Sequence, residues 1–245
     1  MNEMTMSTID NSQRTAAKVA GFSLLFSMAI VVFANYALLN PLLVRGNAAE
    51  TARNIMAHET QFRVAATCFL SYSLSVVVLL IALYVILKPV NPGLALAGAI
   101  FRLVFALLWL LSTLNLLGAL RLLGSAPYLQ VFEPSQLQTL ARAYIAMTFD
   151  DYYVGLPFFG LAATVCAWLW LKSGYIPTWL ALFGVISSAF CVFCAFVYLI
   201  FPGFARLVNP YVFDVPMTAF ELLVGSWLLF KGLPRAETVA SQQES

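Results

Sequence analysis

A single histidine, His58, in a chain of 245 residues excludes metal sites built from several imidazoles. The G-x-S-x-G elbow, the H-E-x-x-H helix and a phosphate-cradling glycine loop are also missing, and with them the common signatures of hydrolases, metalloproteases and nucleotide-binding enzymes. Charge is scarce as well. Asp, Glu, Lys and Arg make up 10% of the residues, and the net charge of +2 is spread along the chain, which leaves no electrostatic footprint for nucleic acid. The four cysteines, Cys68, Cys166, Cys191 and Cys194, lie in apolar stretches and form no disulfide framework. Cys191 and Cys194 make a C-x-x-C, but they sit inside the apolar run 181–201, without the polar, helix-starting context that activates a thiol. Packing is the expected role, and no metal or cofactor is implied.

What the sequence has in excess is apolar side chains, 62% of the total. Six stretches reach the roughly 20 residues needed to cross a hydrocarbon core as a helix: 19–39, 64–87, 94–117, 152–171, 176–200 and 212–230. The fold class that follows is all-α, a polytopic membrane bundle of about six spans, with the lipid bilayer as its surroundings. The first stretch follows Arg14 and Lys18 as a signal peptide would, yet it is longer than a typical signal core and five more spans follow, so it reads as a retained helix. Lys and Arg divide evenly between the two sides, six and six. The connections after Leu87 and Leu171 are short, however, and all four lysines fall on that side, which predicts cytoplasmic termini. Trp168, Trp170, Trp179 and Trp227 gather near that interface, and Tyr36, Tyr152, Tyr153, Tyr198 and Tyr211 near the other, as an anchoring belt; Trp109 alone is mid-span.

Two outer loops carry helix signals. Asn47 followed by Glu50 reads as a capping box opening a helix expected to run straight into span two. Pro134, with Leu137, Leu140, Ala141, Tyr144 and Ile145 at helical spacing, predicts an amphipathic helix lying on the membrane before span four. Residues 1–13 and 234–245 are expected to be a disordered head and tail flanking one domain over 14–233. Neither repeats nor low-complexity tracts occur.

The residues also resemble a known group. Gly46-Asn-Ala-Ala-Glu-Thr-Ala-Arg-Asn-Ile55, His58-Glu59, Phe62-Arg63, Ala82-Leu-Tyr84, Leu87-Lys-Pro-Val-Asn91 and Arg102-Leu103 begin the series. Leu122-Leu-Gly-Ser, Tyr128-Leu, Lys172-Ser-Gly-Tyr-Ile-Pro177, Glu221, Trp227-Leu-Leu and Lys231-Gly232 complete it. In this order and spacing, over about nine tenths of the chain, the sequence resembles the bacterial membrane family known as domain of unknown function 4386. The resemblance implies an all-helical polytopic protein and no known activity, substrate or cofactor. Asp150-Asp151-Tyr152-Tyr153, at the start of span four, is more acidic than the resemblance leads one to expect.

Ionisable groups inside a membrane cost about 2.5–3.5 kcal/mol each on insertion scales, so each needs a partner, a route to water or a function. Arg102 and Glu221 are the clearest cases. At 1.5 Å per residue they lie roughly 13 Å and 15 Å from the same side, on spans three and six, which predicts a charge-assisted pair in the bundle interior. A second polar group, His58, Glu59, Arg63, Asp150, Asp151 and Asp214, marks the outer ends of spans two, four and six, as a solvated rim or as a mouth. Asp214 and Glu221, two turns apart, share a face that would join mouth to interior. Pro157 and Pro216 are candidate kinks, and Gly98, Gly118 and Gly184 permit close helix contact without a G-x-x-x-G.

Three functions fit. The leading one is binding, with or without movement, of a lipid-like or small amphipathic ligand in a cavity near Arg102 and Glu221, with His58, Arg63, Asp150, Asp151 and Asp214 as further candidates. The second is an intramembrane enzyme using carboxylate acid/base chemistry on a hydrophobic substrate. The third is a structural or regulatory membrane partner in which the charges set helix register. Alternating-access transport is disfavoured, since six spans show no pseudo-symmetric halves.

Overall fold

Side chains that take up orphan backbone N–H groups mark the starts of α1, α2 and α4, the helices over Asn11–Val32, Ala48–Ala57 and Pro92–Leu123. In the computed structural model, which describes residues 9–201, 203–204, 208 and 211–234 (for Tyr211, the backbone), Asp10 opens α1 (Asn11–Val32). Its carboxylate accepts from the Gln13 amide N–H while the Gln13 side-chain carbonyl accepts from the Asp10 N–H. α1 then widens into a π-helical segment, Phe33–Leu39, and closes in a 3-10 turn, Asn40–Leu42. The wider winding alters the ladder of carbonyl partners. Asn35 Nδ2 donates to the Val31 carbonyl, and Gln61 Nε2 donates to the Leu38 carbonyl.

α2 (Ala48–Ala57) is capped by Asn47, whose side chain accepts from the Glu50 N–H, as the capping box predicts. It does not run straight into span two. At His58 the backbone leaves helical geometry (φ −127°, ψ 43°), and α3 (Glu59–Leu87) starts afresh. α4 (Pro92–Leu123) follows the short link through Lys88-Pro89, with Pro92 at the first helical position and the Asn91 side chain accepting from the Leu94 N–H. α5 runs unbroken from Pro134 to Ser173, and Gly174, at φ +64°, closes it with a bond from its N–H to the Trp170 carbonyl. The amphipathic stretch after Pro134 is therefore the first part of α5 and not a separate surface helix. Nothing between Tyr144 and Tyr152 breaks a helix, so the Asp150-Asp151 pair is carried inside it. α6 (Thr178–Ile200) and α7 (Tyr211–Phe230) complete the chain, and Pro157 and Pro216 lie within continuous helices.

No strand occurs among the described residues. Six helical stretches are long and apolar enough to cross a bilayer: Asn11–Leu42, Glu59–Leu87, Pro92–Leu123, Pro134–Ser173, Thr178–Ile200 and Val212–Phe230. They contain five of the six expected spans whole and the fifth from Thr178 onward, since Pro177 stands at the cap of that helix, and the protein is a multi-pass membrane protein. α4 shows the inverted surface this demands: Leu96, Ile100, Leu103, Leu107, Leu111 and Leu114, at helical spacing, are all exposed in the isolated chain. Arg206, Arg235, the Tyr211 side chain and the extreme head and tail lie outside the described residues; of the expected head, residues 11–13 are already the first turn of α1.

The chain groups into two compact units. The first takes in the described residues up to Leu25, with Val76–Leu103 and the chain from Pro157 onward. Its core joins Ala17 and Ala20 of α1, Leu83 and Ile86 of α3, Trp170 of α5, Leu180 of α6 and Leu228 of α7. There α1 and α7 meet backbone to backbone. A Cβ on Gly21 would stand 2.6 Å from the Leu229 amide nitrogen and 2.7 Å from the Gly225 carbonyl, so only glycine permits this approach. The second unit, Phe26–Ser75 with Val104–Leu156, is centred on Trp109, with Tyr72, Phe69, Phe105 and Tyr152 ringed around it at centroid distances of 4.4–6.4 Å.

Candidate functional site

Arg102 stands ten residues into α4 and Glu221 nine before the end of α7, which places each about 14–15 Å along its helix. The two meet, as their matched depths predict. Arg102 Nη2 donates to Glu221 Oε1 at 2.6 Å, with the side chains 3% and 12% exposed. The guanidinium lies 5.5 Å from the Phe159 ring, which adds a cation–π contact on the same first unit. The surroundings are tightly filled. The space between Leu80, Leu83, Gly98, Cys166 and Arg102 measures about 10 Å³, room for one water and no ligand.

The remaining sequence candidates divide between the two units. Asp214 belongs to the first unit, partly buried in the first turn of α7, where a carboxylate complements the helix dipole. The others belong to the second unit. His58 closes α2, its Nδ1 at 3.1 Å from the Asn54 carbonyl. Arg63 pairs with Glu59 one turn away at 2.7 Å, on the exposed face of α3. Asp150 is exposed, whereas Asp151 is half-buried and its Oδ2 accepts from Ser112 Oγ at 2.9 Å and Asn115 Nδ2 at 2.8 Å. His58, Arg63 and Asp151 thus each have their own partner within the second unit and do not converge on a shared ligand. Ser112 and Asn115 escape the sequence reading, although two buried polar residues three apart on an apolar helix are the signal for such a contact.

The cysteines are buried and free, with Cys191 and Cys194 one turn apart in α6. No cluster of metal-ligating side chains occurs among the described residues.

A larger feature, which the sequence does not reveal, lies on the first unit where α1 and α6 begin and α7 ends. Arg14 and Lys18 from the first two turns of α1, Lys231 after α7, Trp227, Tyr175 and Thr178 line a cleft of about 890 Å³. Among the described residues no carboxylate lines it. Arg14 Nη2 donates to the Pro234 carbonyl at 3.3 Å, which ties the start of α1 to the end of α7. Lys231 Nζ stands 4.2 Å from the centre of the Trp227 ring. None of the three cations forms an ion pair among the described residues. At its α6 side the cleft meets a helix start at Pro177, where no side chain caps the first turn.

Comparison with known proteins gives a family and no activity. An uncharacterised protein of Archaeoglobus fulgidus is 28% identical over 162 residues, covering 66% of this chain and 79% of its own length. No solved structure matches. The family model of the domain of unknown function DUF4386 matches residues 19–232, nearly the whole of the helical chain, and the protein belongs to that family.

Proposed function

We propose that this protein is a binding module of a bacterial inner membrane, with both termini cytoplasmic, that holds a lipid-like amphipathic ligand by its polar end in the cleft between the starts of α1 and α6 and the end of α7. The observation that carries the reading is the cleft itself. Its volume of about 890 Å³ falls in the range of ligand sites, roughly 300–1,000 Å³, and its walls combine three cations with Trp227 and Tyr175. The 23 residues of α6 span about 34 Å, so its first residue, Thr178, reaches a membrane interface, the depth at which an amphipathic molecule has its polar end. The orientation rests on the short lysine-bearing links after α3 and α5.

Arg102 and Glu221 take the structural role in this reading, as a pair that fixes the register of α4 against α7. The packed space of about 10 Å³ beside them favours it. Carboxylate acid/base catalysis has no support at the cleft, whose described lining offers no carboxylate.

The test is native mass spectrometry of the full chain released from mild detergent, comparing wild type with Lys18→Ala/Lys231→Ala and with Arg102→Ala/Glu221→Ala. A co-purifying adduct that is lost in the lysine variant and retained in the pair variant is the expected result. A wild-type protein free of any adduct, when isolated from its native membrane, overturns the reading.

A further inference from the structure

Resting on that reading, we infer the chemical class of the ligand: a net-anionic phosphate ester, whose phosphate is held between Lys18, Lys231 and Arg14. The first support is the charge of the cleft. Three cations from opposite ends of the chain converge on one cavity whose described lining holds no carboxylate, so among the described residues its wall is positively charged, and a zwitterionic or neutral ligand would leave that charge unmatched. Arrangements of this kind, basic pockets between membrane helices at an interface, suit phosphate-bearing head groups.

The second support is the wall that α6 provides. Its first turn begins after Pro177, has no side-chain cap, and borders the cleft at Thr178. Orphan N–H groups and the positive end of a 23-residue helix dipole add to the field of the three side chains. Each feature alone is common in membrane proteins. Their meeting in a cavity of this size selects for an anion with several acceptor oxygens, and a phosphate ester meets that requirement better than a single carboxylate.

The third support is the pairing of fixed and mobile donors. Arg14 is oriented by its bond to the Pro234 carbonyl, and the Lys231 ammonium rests 4.2 Å from the centre of the Trp227 ring, so two of the three cations are positioned before any ligand arrives. Ile176 and Leu233, both buried, give the same cleft an apolar side for the glycerol and first methylenes of a lipid. The same chemistry would also accept a soluble phosphate compound, and the experiment separates the two.

The full chain, stripped of lipid in detergent, is incubated with vesicles of phosphatidylglycerol, of phosphatidylcholine or of phosphatidylcholine containing oleate, and bound lipid is counted by native mass spectrometry. Retention of phosphatidylglycerol at least tenfold above phosphatidylcholine and oleate is expected. Lys18→Ala/Lys231→Ala should weaken it about 25-fold, at about fivefold per cation removed, and Lys18→Arg/Lys231→Arg should restore it. Lys88→Ala/Lys172→Ala removes the same charge from exposed sites outside the cleft and should retain the lipid, which separates a site from general membrane electrostatics. Displacement of phosphatidylglycerol by millimolar inorganic phosphate assigns the site to soluble phosphates; resistance assigns it to the head group. Equal retention of phosphatidylcholine, preference for oleate, or equal loss in the two lysine pairs overturns the phosphate inference while the binding reading stands. No retention of any lipid, and no phosphate adduct, removes both.

Discussion

Glu221→Leu removes the carboxylate that Arg102 meets at 2.6 Å and leaves the rest of α7 unchanged. With Arg102 3% exposed and about 15 Å along α4, its guanidinium has no short route to water, so the charge stays in a low-dielectric site without its ion-pair partner. Breaking a buried pair from one side costs about 3–5 kcal/mol in soluble proteins, and insertion scales give about 2.5–3.5 kcal/mol for a charge at mid-membrane. A loss of about 3 kcal/mol in unfolding free energy is therefore expected for Glu221→Leu. Replacing both partners, Arg102→Met with Glu221→Leu, keeps the volume and removes the charge, so it should return within about 1 kcal/mol of wild type. The assay is reversible unfolding in mixed micelles titrated with a denaturing detergent, read by near-ultraviolet dichroism for the four proteins of the cycle. A coupling energy below about 0.5 kcal/mol, or a double variant as weak as Glu221→Leu alone, would refute the claim that the pair acts as one buried unit.

Gly21→Ala should destabilise by about 1–3 kcal/mol in the same titration, because its Cβ meets the backbone of α7 and no rotamer change relieves the overlap. Gly93→Ala, whose Cβ would lie 3.6 Å from Asn91, is the matched control with little effect. Asp151→Leu strands the buried donors of Ser112 and Asn115 and should cost about 2–3 kcal/mol, and adding Ser112→Ala should recover part of it. Arg63→Ala should change stability by no more than about 0.5 kcal/mol, since its pair with Glu59 is 57% and 41% exposed.

Much of this was readable before the fold. Apolar run length marked the six spans, because a bilayer leaves helix as the economical way to satisfy the backbone. Depth arithmetic matched Arg102 to Glu221 across 119 residues, because charges at equal depth in neighbouring helices solve each other's desolvation. Asn47 and Glu50 announced α2 through chemistry that is wholly local. What escaped depends on three-dimensional proximity. Arg14, Lys18 and Lys231 come from opposite ends of the sequence, and nothing in either neighbourhood says that the two ends meet. Gly21 and Gly225 lack a shared motif for the same reason. The join between the loop helix and span four was missed because a change from amphipathic to apolar pattern is a change of surroundings, and α5 passes through it without altering its backbone.

The glycine contact between α1 and α7 has a thermodynamic consequence. If these helices part while both remain in lipid, the surface they expose at Gly21 and Gly225 meets acyl chains and not water. Water structuring, the source of the large heat-capacity change that bends the stability curve of a soluble domain, then contributes almost nothing. The strength of that seam is set by van der Waals contact and should vary weakly with temperature, with no loss of cohesion on cooling, so a cold-adapted and a warm-adapted relative would need the same two glycines.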